Sequence, residues 1–383
     1  MYMANQLGVR GRLLYSKGQS GYFSPMTNNR QMSSIMSRKF RDKKVKLDFS
    51  DVLIVPRTSE LTSRKDVNIE RAFTFRHSGQ NWNGIPLAVS NMDTTGTINM
   101  ALEMQKHKVL TCLHKYYQSD DITDDLDPEY FAVSTGISDN DLLRLEQIMN
   151  SHPNIKFICV DVANGYMEKF VDVCKQIRER YPKKIIIAGN VVTPEQVRRL
   201  IVVAKVDIVK LGIGSGSVCT TRLKTGVGYP QLSAILDCHN IAKLYGGYIM
   251  SDGGIQNPGD LGKAYGAGAD FVMCGSLFAG HKESGGDIIE EDGNTYKIFY
   301  GMSSKKAMVK HTGQMNAYRA EEGKVVKLKY RGLVKDTLDD YIGGLRSTLT
   351  YVGAKNIRSL YRNVEFIRVN HQVNQIHNSK EIN

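Results

Sequence analysis

The chain has 383 residues, 41% hydrophobic and 23% charged, with no stretch of 18 apolar residues; this is the balance of a soluble globular protein and excludes a transmembrane helix. The net charge of +12 is mostly local, because residues 1–46 carry ten Lys/Arg against one acid, Asp42, and the remainder carries only +3. A body so close to neutral argues against nucleic acid as a partner.

Residues 1–46 are rich in Ser, Gly, Asn and basic residues and lack apolar periodicity, so they read as a disordered basic extension. The Arg-rich, acid-poor balance would suit an organelle transit peptide, but no amphipathic helix accompanies it. A cytoplasmic location is the expectation.

From residue 85 apolar runs alternate with helical patterns. The runs are Ile85–Met92, Val109–Lys115, Phe131–Gly136, Lys156–Ala163, Lys184–Val191, Val206–Ile213, Tyr248–Gly254 and Ala269–Ser276. Such continuous Val/Ile/Leu runs suit parallel strands buried on both faces. Met167–Arg180 and Pro194–Ala204 are the clearest helices, the second with Thr193 as N-cap and Pro194 at its first position. A second helix is expected between the second and third runs, where the segment is short and acidic. Eight β/α units predict an α/β fold closed as a (β/α)8 TIM barrel over residues 47–373, ahead of a tail, 374–383.

The runs end in Gly or polar residues: Asn91 and Asp93, His114 and Lys115, Gly136, Asp161, Asn190, Gly214, Asp252, Gly275 and Ser276. Barrel chemistry sits at these ends. After the eighth run, Ile288–Tyr300 reads as a hairpin about Asp292-Gly293. The Lys-rich segment around it, 281–340, reads as a mobile flap over the barrel mouth, with few core signals. Tyr341–Tyr361 reads as the last outer helix, and Trp82 as packing.

The stretch Val209–Gly228, VKLGIGSGSVCTTRLKTGVG, is the most informative. A strand ends in a Gly-Ser loop that presents Cys219, followed by Thr220, Thr221 and Arg222. The glycines let the backbone approach a ligand or ion, and a neighbouring cation such as Arg222 favours thiolate character. Cys112, Cys159, Cys174, Cys238 and Cys274 read as reduced structural thiols, since no pair has metal-binding spacing. Ser251–Gly254 and Gly275-Ser276 offer backbone N–H groups for an anion, and Gly301-Met302-Ser303 adds a helix N-terminus. Asp252 would repel phosphate and suits ribose hydroxyls better.

These motifs together resemble the IMP dehydrogenase/GMP reductase family, and the resemblance runs from about Lys46 to Val373. Four features match its reductase branch. No regulatory insert lies between Lys115 and Phe131. The loop reads Cys219-Thr220-Thr221-Arg222, and the fourth run ends Asp161-Val162-Ala163-Asn164-Gly165-Tyr166. The flap reads Tyr318-Arg319-Ala320-Glu321-Glu322-Gly323, without the Arg-Tyr pair by which the dehydrogenases activate water. Departures are Ser215, where relatives often have Pro, and Cys274, where many have Leu.

The resemblance implies reductive deamination of GMP to IMP and ammonia with NADPH, in purine interconversion and salvage. Cys219 would attack carbon 2 of guanine, and Thr221 with Glu322 would relay protons. Asp252, Gly253, Gly254, Gly275, Ser276, Gly301, Met302, Ser303, Arg319, Glu322 and Gly323 would contact the nucleotide. Ser63, Arg64, Lys115, Asp161, Val162, Ala163, Tyr318, Arg319, Ser347, Thr348, Leu349 and Thr350 would contact the dinucleotide, some from a neighbouring subunit of a homotetramer. Carbonyls of Gly214, Gly216, Cys219 and Arg222 would hold a potassium ion. Two other readings remain open: IMP oxidation to XMP with NAD, and a non-catalytic nucleotide-binding protein on the same barrel.

Overall fold

The computed structural model describes Arg41, residues 44–312 and residues 321–370. Most of the basic extension, the tail, and Tyr318 with Arg319 lie outside the described residues. Two short strands precede the barrel: β1 (Val52–Ile54) and β2 (Arg71–Thr74). All eight apolar runs form strands: β3 (Asn81–Val89), β4 (Val109–Cys112), β5 (Phe131–Thr135), β6 (Phe157–Asp161), β7 (Ile185–Val191), β8 (Ile208–Leu211), β9 (Tyr248–Asp252) and β10 (Phe271–Cys274). They pair in parallel in chain order, and β10 returns to β3 with Val272 opposite Leu87 and Cys274 opposite Val89. The sheet is therefore closed, the (β/α)8 barrel expected from the repeat.

Around it lie α1 (Ile98–Met104), α2 (Asp139–Ser151), α3 (Glu168–Arg180) and α4 (Pro194–Val202). They are followed by α5 (Thr221–Thr225), α6 (Gln231–Leu244) and α7 (Pro258–Ala267). Pro194 opens α4 as expected. Thr193 holds the N-cap position without capping through its side chain; its hydroxyl accepts from Tyr166 instead. Between β4 and β5 the expected helix is replaced by a single 3-10 turn, Ser119–Asp121. The carboxylates there bond locally, Asp121 to the Gln118 N–H and Asp127 to the Glu129 N–H, and such bonds compete with a helix.

Strand alternation sorts side chains into two cores. Ile158, Val160, Val209 and Leu211 face the helices. Phe157, Cys159, Ile208, Met250 and Met273 fill the barrel, closed below by Phe73, Phe75, Trp82 and Phe271. Phe73 stacks on Phe271 at 4.3 Å between centroids, and Trp82 donates to the Glu129 carbonyl at 2.7 Å. Trp82 is packing, as read.

A buried ion pair, Arg178–Asp207, joins α3 to the segment before β8. Arg178 also donates to the carbonyls of Pro182, Lys184 and Lys205, and Asp207 accepts from the Ile186 and Ser78 N–H groups. Removing one partner strands a buried charge. Arg178→Met is expected to cost about 3–5 kcal/mol of stability, read as a lowered midpoint in chemical denaturation.

The flap is more structured than its composition implies. β11 (Ile288–Glu291) and β12 (Asn294–Tyr300) form the expected hairpin, with φ of 52° at Asp292 and 71° at Gly293, the positive pair that a two-residue turn needs. A third strand, β13 (Val325–Lys329), pairs with β12 because Val326 and Leu328 alternate with exposed neighbours. A helix, α8 (Lys305–Thr312), lies between β12 and β13 in the chain. The single last helix is two, α9 (Val334–Tyr351) and α10 (Ile357–Asn363). The chain turns at Gly353 (φ 65°), and the Asn356 side chain accepts from the Ser359 N–H to start the second, as N-caps do. The chain then adds β14 (Phe366–Arg368), antiparallel to β1.

Candidate active site

Cys219 stands on the loop after β8, half-buried, while the other five cysteines are buried. Its thiol donates to Thr221 Oγ1 at 3.2 Å, and the Thr221 hydroxyl donates to Glu322 Oε2 at 2.7 Å. Three groups from two distant segments thus form one proton path ending at a sulfur. Backbone bonds hold the segments together. The Thr220 N–H donates to the Glu322 carbonyl at 2.9 Å and the Lys324 N–H to the Val218 carbonyl at 2.8 Å, while the Glu322 N–H bonds Ser303 at 3.2 Å. A Cβ at Gly323 would lie 2.8 Å from the Ser304 nitrogen, so this close approach requires glycine.

Arg222 does not serve the sulfur as the sequence suggested. Its guanidinium is committed to Asp48 at 2.8 Å and to the Tyr229 carbonyl at 2.7 Å. The expected cation ligands are backbone carbonyls in any case. Those of Gly216 and Arg222 each accept one N–H, from Cys219 and Gly226, and a carbonyl has a second lone pair to offer. Both carbonyls therefore keep an acceptor site of the kind a hard cation takes.

Gly253 and Gly254 follow β9, and Gly275 and Ser276 follow its neighbour β10. Among the described residues, the N–H groups of Gly254, Gly275, Ser276, Met302 and Ser303 make no backbone bond. Free N–H groups at two adjacent strand ends and ahead of α8 suit an anion.

Asp161, Lys210 and Asp252 continue the inward-facing rows of β6, β8 and β9. Lys210 is 2% exposed along its side chain; its ammonium pairs with Asp161 and, at 2.9 Å, with Asp252. Burial opposes that charge, but Asp161 and Asp252 outweigh it and raise the lysine well above its ordinary value. Burial likewise pushes Asp161 up, yet Lys210 and Asn91 hold it below the usual carboxylate range. Asn190 donates to Asp252 at 2.9 Å. Lys210 and Asn190 were not assigned roles from sequence. The signal was a lysine two residues after Ile208 in an otherwise apolar strand.

Lys115 reaches Asp141 at 3.3 Å and stays about one-third exposed. Val162 and Ala163 follow Asp161 at the mouth, Ala163 exposed. Ser63 caps the turn Arg64–Asp66, whose Arg64 is exposed. Arg346 of α9 donates to the Arg64 carbonyl at 3.4 Å, which brings Ser63 and Arg64 to the helix carrying Ser347, Thr348, Leu349 and Thr350. The side chain of Leu349 is buried, and the three hydroxyls bond their own helix. No described bond links this patch to Cys219.

A second polar cluster was also missed. Asp93 after β3 accepts from Tyr300 at 2.7 Å, Lys310 at 2.9 Å and His311 at 2.7 Å. Burial raises its carboxyl, but these three donors outweigh it and lower it. Tyr116 stacks on His311 at 3.5 Å. The cluster pins α8 to the barrel. His114 nearby stacks on Tyr117 and is pushed down to about 4 by burial, a neutral packing ring.

Residues 46–377 match the model of the IMP dehydrogenase / GMP reductase domain. The chain belongs to the IMP dehydrogenase/GMP reductase family. It is an enzyme by that membership, and the family implies a nicotinamide cofactor. Among its relatives are GMP reductase of Caenorhabditis elegans, 52% identical over 87% of this chain and 94% of the relative, and GMP reductase 1 of Mus musculus, 52% over 88% and 98%. GMP reductase of Klebsiella pneumoniae is 51% identical over 88% and 99%. No described helix is long and apolar enough to cross a membrane.

Proposed function

We propose that this family member reduces GMP to IMP and ammonia with NADPH through a covalent adduct on Cys219. The observation that carries this reading is the path Cys219–Thr221–Glu322, with 3.2 and 2.7 Å links. The sulfur attacks carbon 2 of the guanine ring as its proton passes through Thr221 to Glu322. Glu322, through Thr221, delivers the proton that lets the 2-amino group leave as ammonia rather than as an amide ion. A thioimidate remains on Cys219. NADPH supplies the hydride that reduces carbon 2; the carbon–sulfur bond then breaks and IMP departs. Covalent catalysis divides one hard displacement into two easier steps.

The free N–H groups of Gly254, Gly275, Ser276, Met302 and Ser303 would take the phosphate, and Asp252 the ribose hydroxyls. The dinucleotide would lie near Lys115, Asp161, Val162 and Ala163, where a half-buried ammonium and carboxylate stand at strand ends. The patch of Ser63, Arg64 and Ser347–Thr350, with no bond to Cys219 among the described residues, fits contacts supplied across a homotetramer. A potassium ion on the carbonyls of Gly214, Gly216, Cys219 and Arg222 would stiffen the loop under the thiol.

Purified protein is expected to oxidise NADPH on addition of GMP, with one ammonia released per turnover. Reduction of NAD on addition of IMP would assign the opposite reaction. Silence in both assays with thiol and potassium present would leave a nucleotide-binding protein.

A further inference from the structure

We infer that Lys210 is a positioning residue whose single ammonium couples the carboxylate for the nucleotide, Asp252, to the carboxylate for the cofactor, Asp161. The inference rests on the functional reading above and assigns a residue that reading does not use.

The geometry builds from strand alternation. Ile208 and Lys210 share the inner face of β8, as Phe157, Cys159 and Asp161 do on β6, and Met250 and Asp252 on β9. The three charged residues form the top of the barrel filling, directly above an apolar layer. Gly189 stands opposite Lys210 in β7, and a Cβ there would lie 2.6 Å from the Lys210 Cβ. The neighbouring strand thus leaves space for the lysine stem.

Both described bonds to the Asp252 carboxylate, from Lys210 and Asn190, fall on Oδ2. Oδ1 is left to accept from a ligand. Asp161 keeps about a third of its side chain exposed and Asp252 about a fifth. Each carboxylate therefore is tied to Lys210 and stays partly open to solvent. Charged groups around the ammonium are Asp161 of β6, Asp252 of β9 and, acting on Asp161, Lys115 beyond β4; the thiols Cys159 of β6 and Cys112 of β4 lie close by. No other cation pairs with either carboxylate among the described residues.

Without Lys210, two carboxylates that shared one nitrogen face each other. Like charges so close cannot both ionise freely, and one holds a proton. The test is GMP affinity by calorimetry, without cofactor, for the full chain, Lys210→Met, Asp161→Asn and the double variant, at about pH 6 and pH 8. Wild-type affinity at each pH is the reference for the variants, because the nucleotide phosphate itself titrates at about pH 6. Lys210→Met is expected to weaken GMP by about tenfold, the loss of one charged hydrogen bond, and the loss is expected to be greater at the lower pH, where the shared proton leaves Asp252 a poorer acceptor for the ribose hydroxyls. Asp161→Asn in the same chain removes that pH dependence, because one carboxylate is gone.

If Lys210→Met alone does not fold, the double variant decides. Against Asp161→Asn it is still expected to bind GMP several-fold more weakly, since Asp252 has lost its ammonium. Equal GMP affinity with and without Lys210 in every background that folds, at both pH values, overturns the inference. Failure of the wild-type chain to bind GMP would instead overturn the functional reading.

Discussion

Cys219→Ala is expected to lower turnover by about six orders of magnitude, the scale on which a nucleophile's removal is felt, while GMP binding survives. The sulfur is the atom that forms the adduct, and no neighbour can replace it. The loop does not depend on it. The Cys219 N–H bonds the Gly216 carbonyl at 3.0 Å, and the backbone of residue 219 bridges Gly323. Alanine keeps both contacts. The candidate phosphate and ribose groups lie on other strand ends and are untouched. NADPH oxidation gives the turnover and calorimetry gives the affinity. Measurable multiple turnover in this variant would rule out the covalent route.

Glu322→Gln is expected to slow turnover about 10²–10⁴-fold, the usual worth of a positioned proton donor. The slowing should fall on ammonia release more than on hydride transfer. Glutamine keeps the size of the side chain and both backbone bonds, to Ser303 and from Thr220, so the flap stays docked. It cannot exchange a proton with Thr221. Single-turnover measurements separate the steps, with ammonia assayed after quenching and hydride transfer followed by loss of cofactor absorbance. A deuterated cofactor adds a check, because its isotope effect on steady-state turnover should shrink once deamination limits the rate. Equal slowing of both steps would argue against the relay.

These two variants differ in what they remove from one line of three groups. Cys219 and Thr221 are two residues apart, and their contact follows from the loop. Glu322 lies 101 residues further on and arrives only because β13 and the segment ahead of it fold back across the barrel mouth. The clamp of buried Asp93 with Tyr300, Lys310 and His311 contributes to that closure.

The sequence by itself determined the barrel. Its eight apolar runs match the eight barrel strands, because strands covered on both faces leave a continuous signal that no other local structure imitates at that repeat. It also determined the turn at Asp292-Gly293 and singled out Cys219, whose glycine-rich polar setting cannot pack a core. Local chemistry misled it where acidic side chains bond their own backbone, at 118–129, and where Gly353 and Asn356 split one helical pattern into two.

Tertiary structure decided which charges meet. Arg222 follows Cys219 in the chain but turns to Asp48, since the guanidinium finds a carboxylate there. Lys210, Asp161 and Asp252 come from three strands, and only the pairing order of β6 to β9 brings one ammonium between two carboxylates. Ion pairs of this kind depend on distances through space, and sequence separation carries almost no information about them.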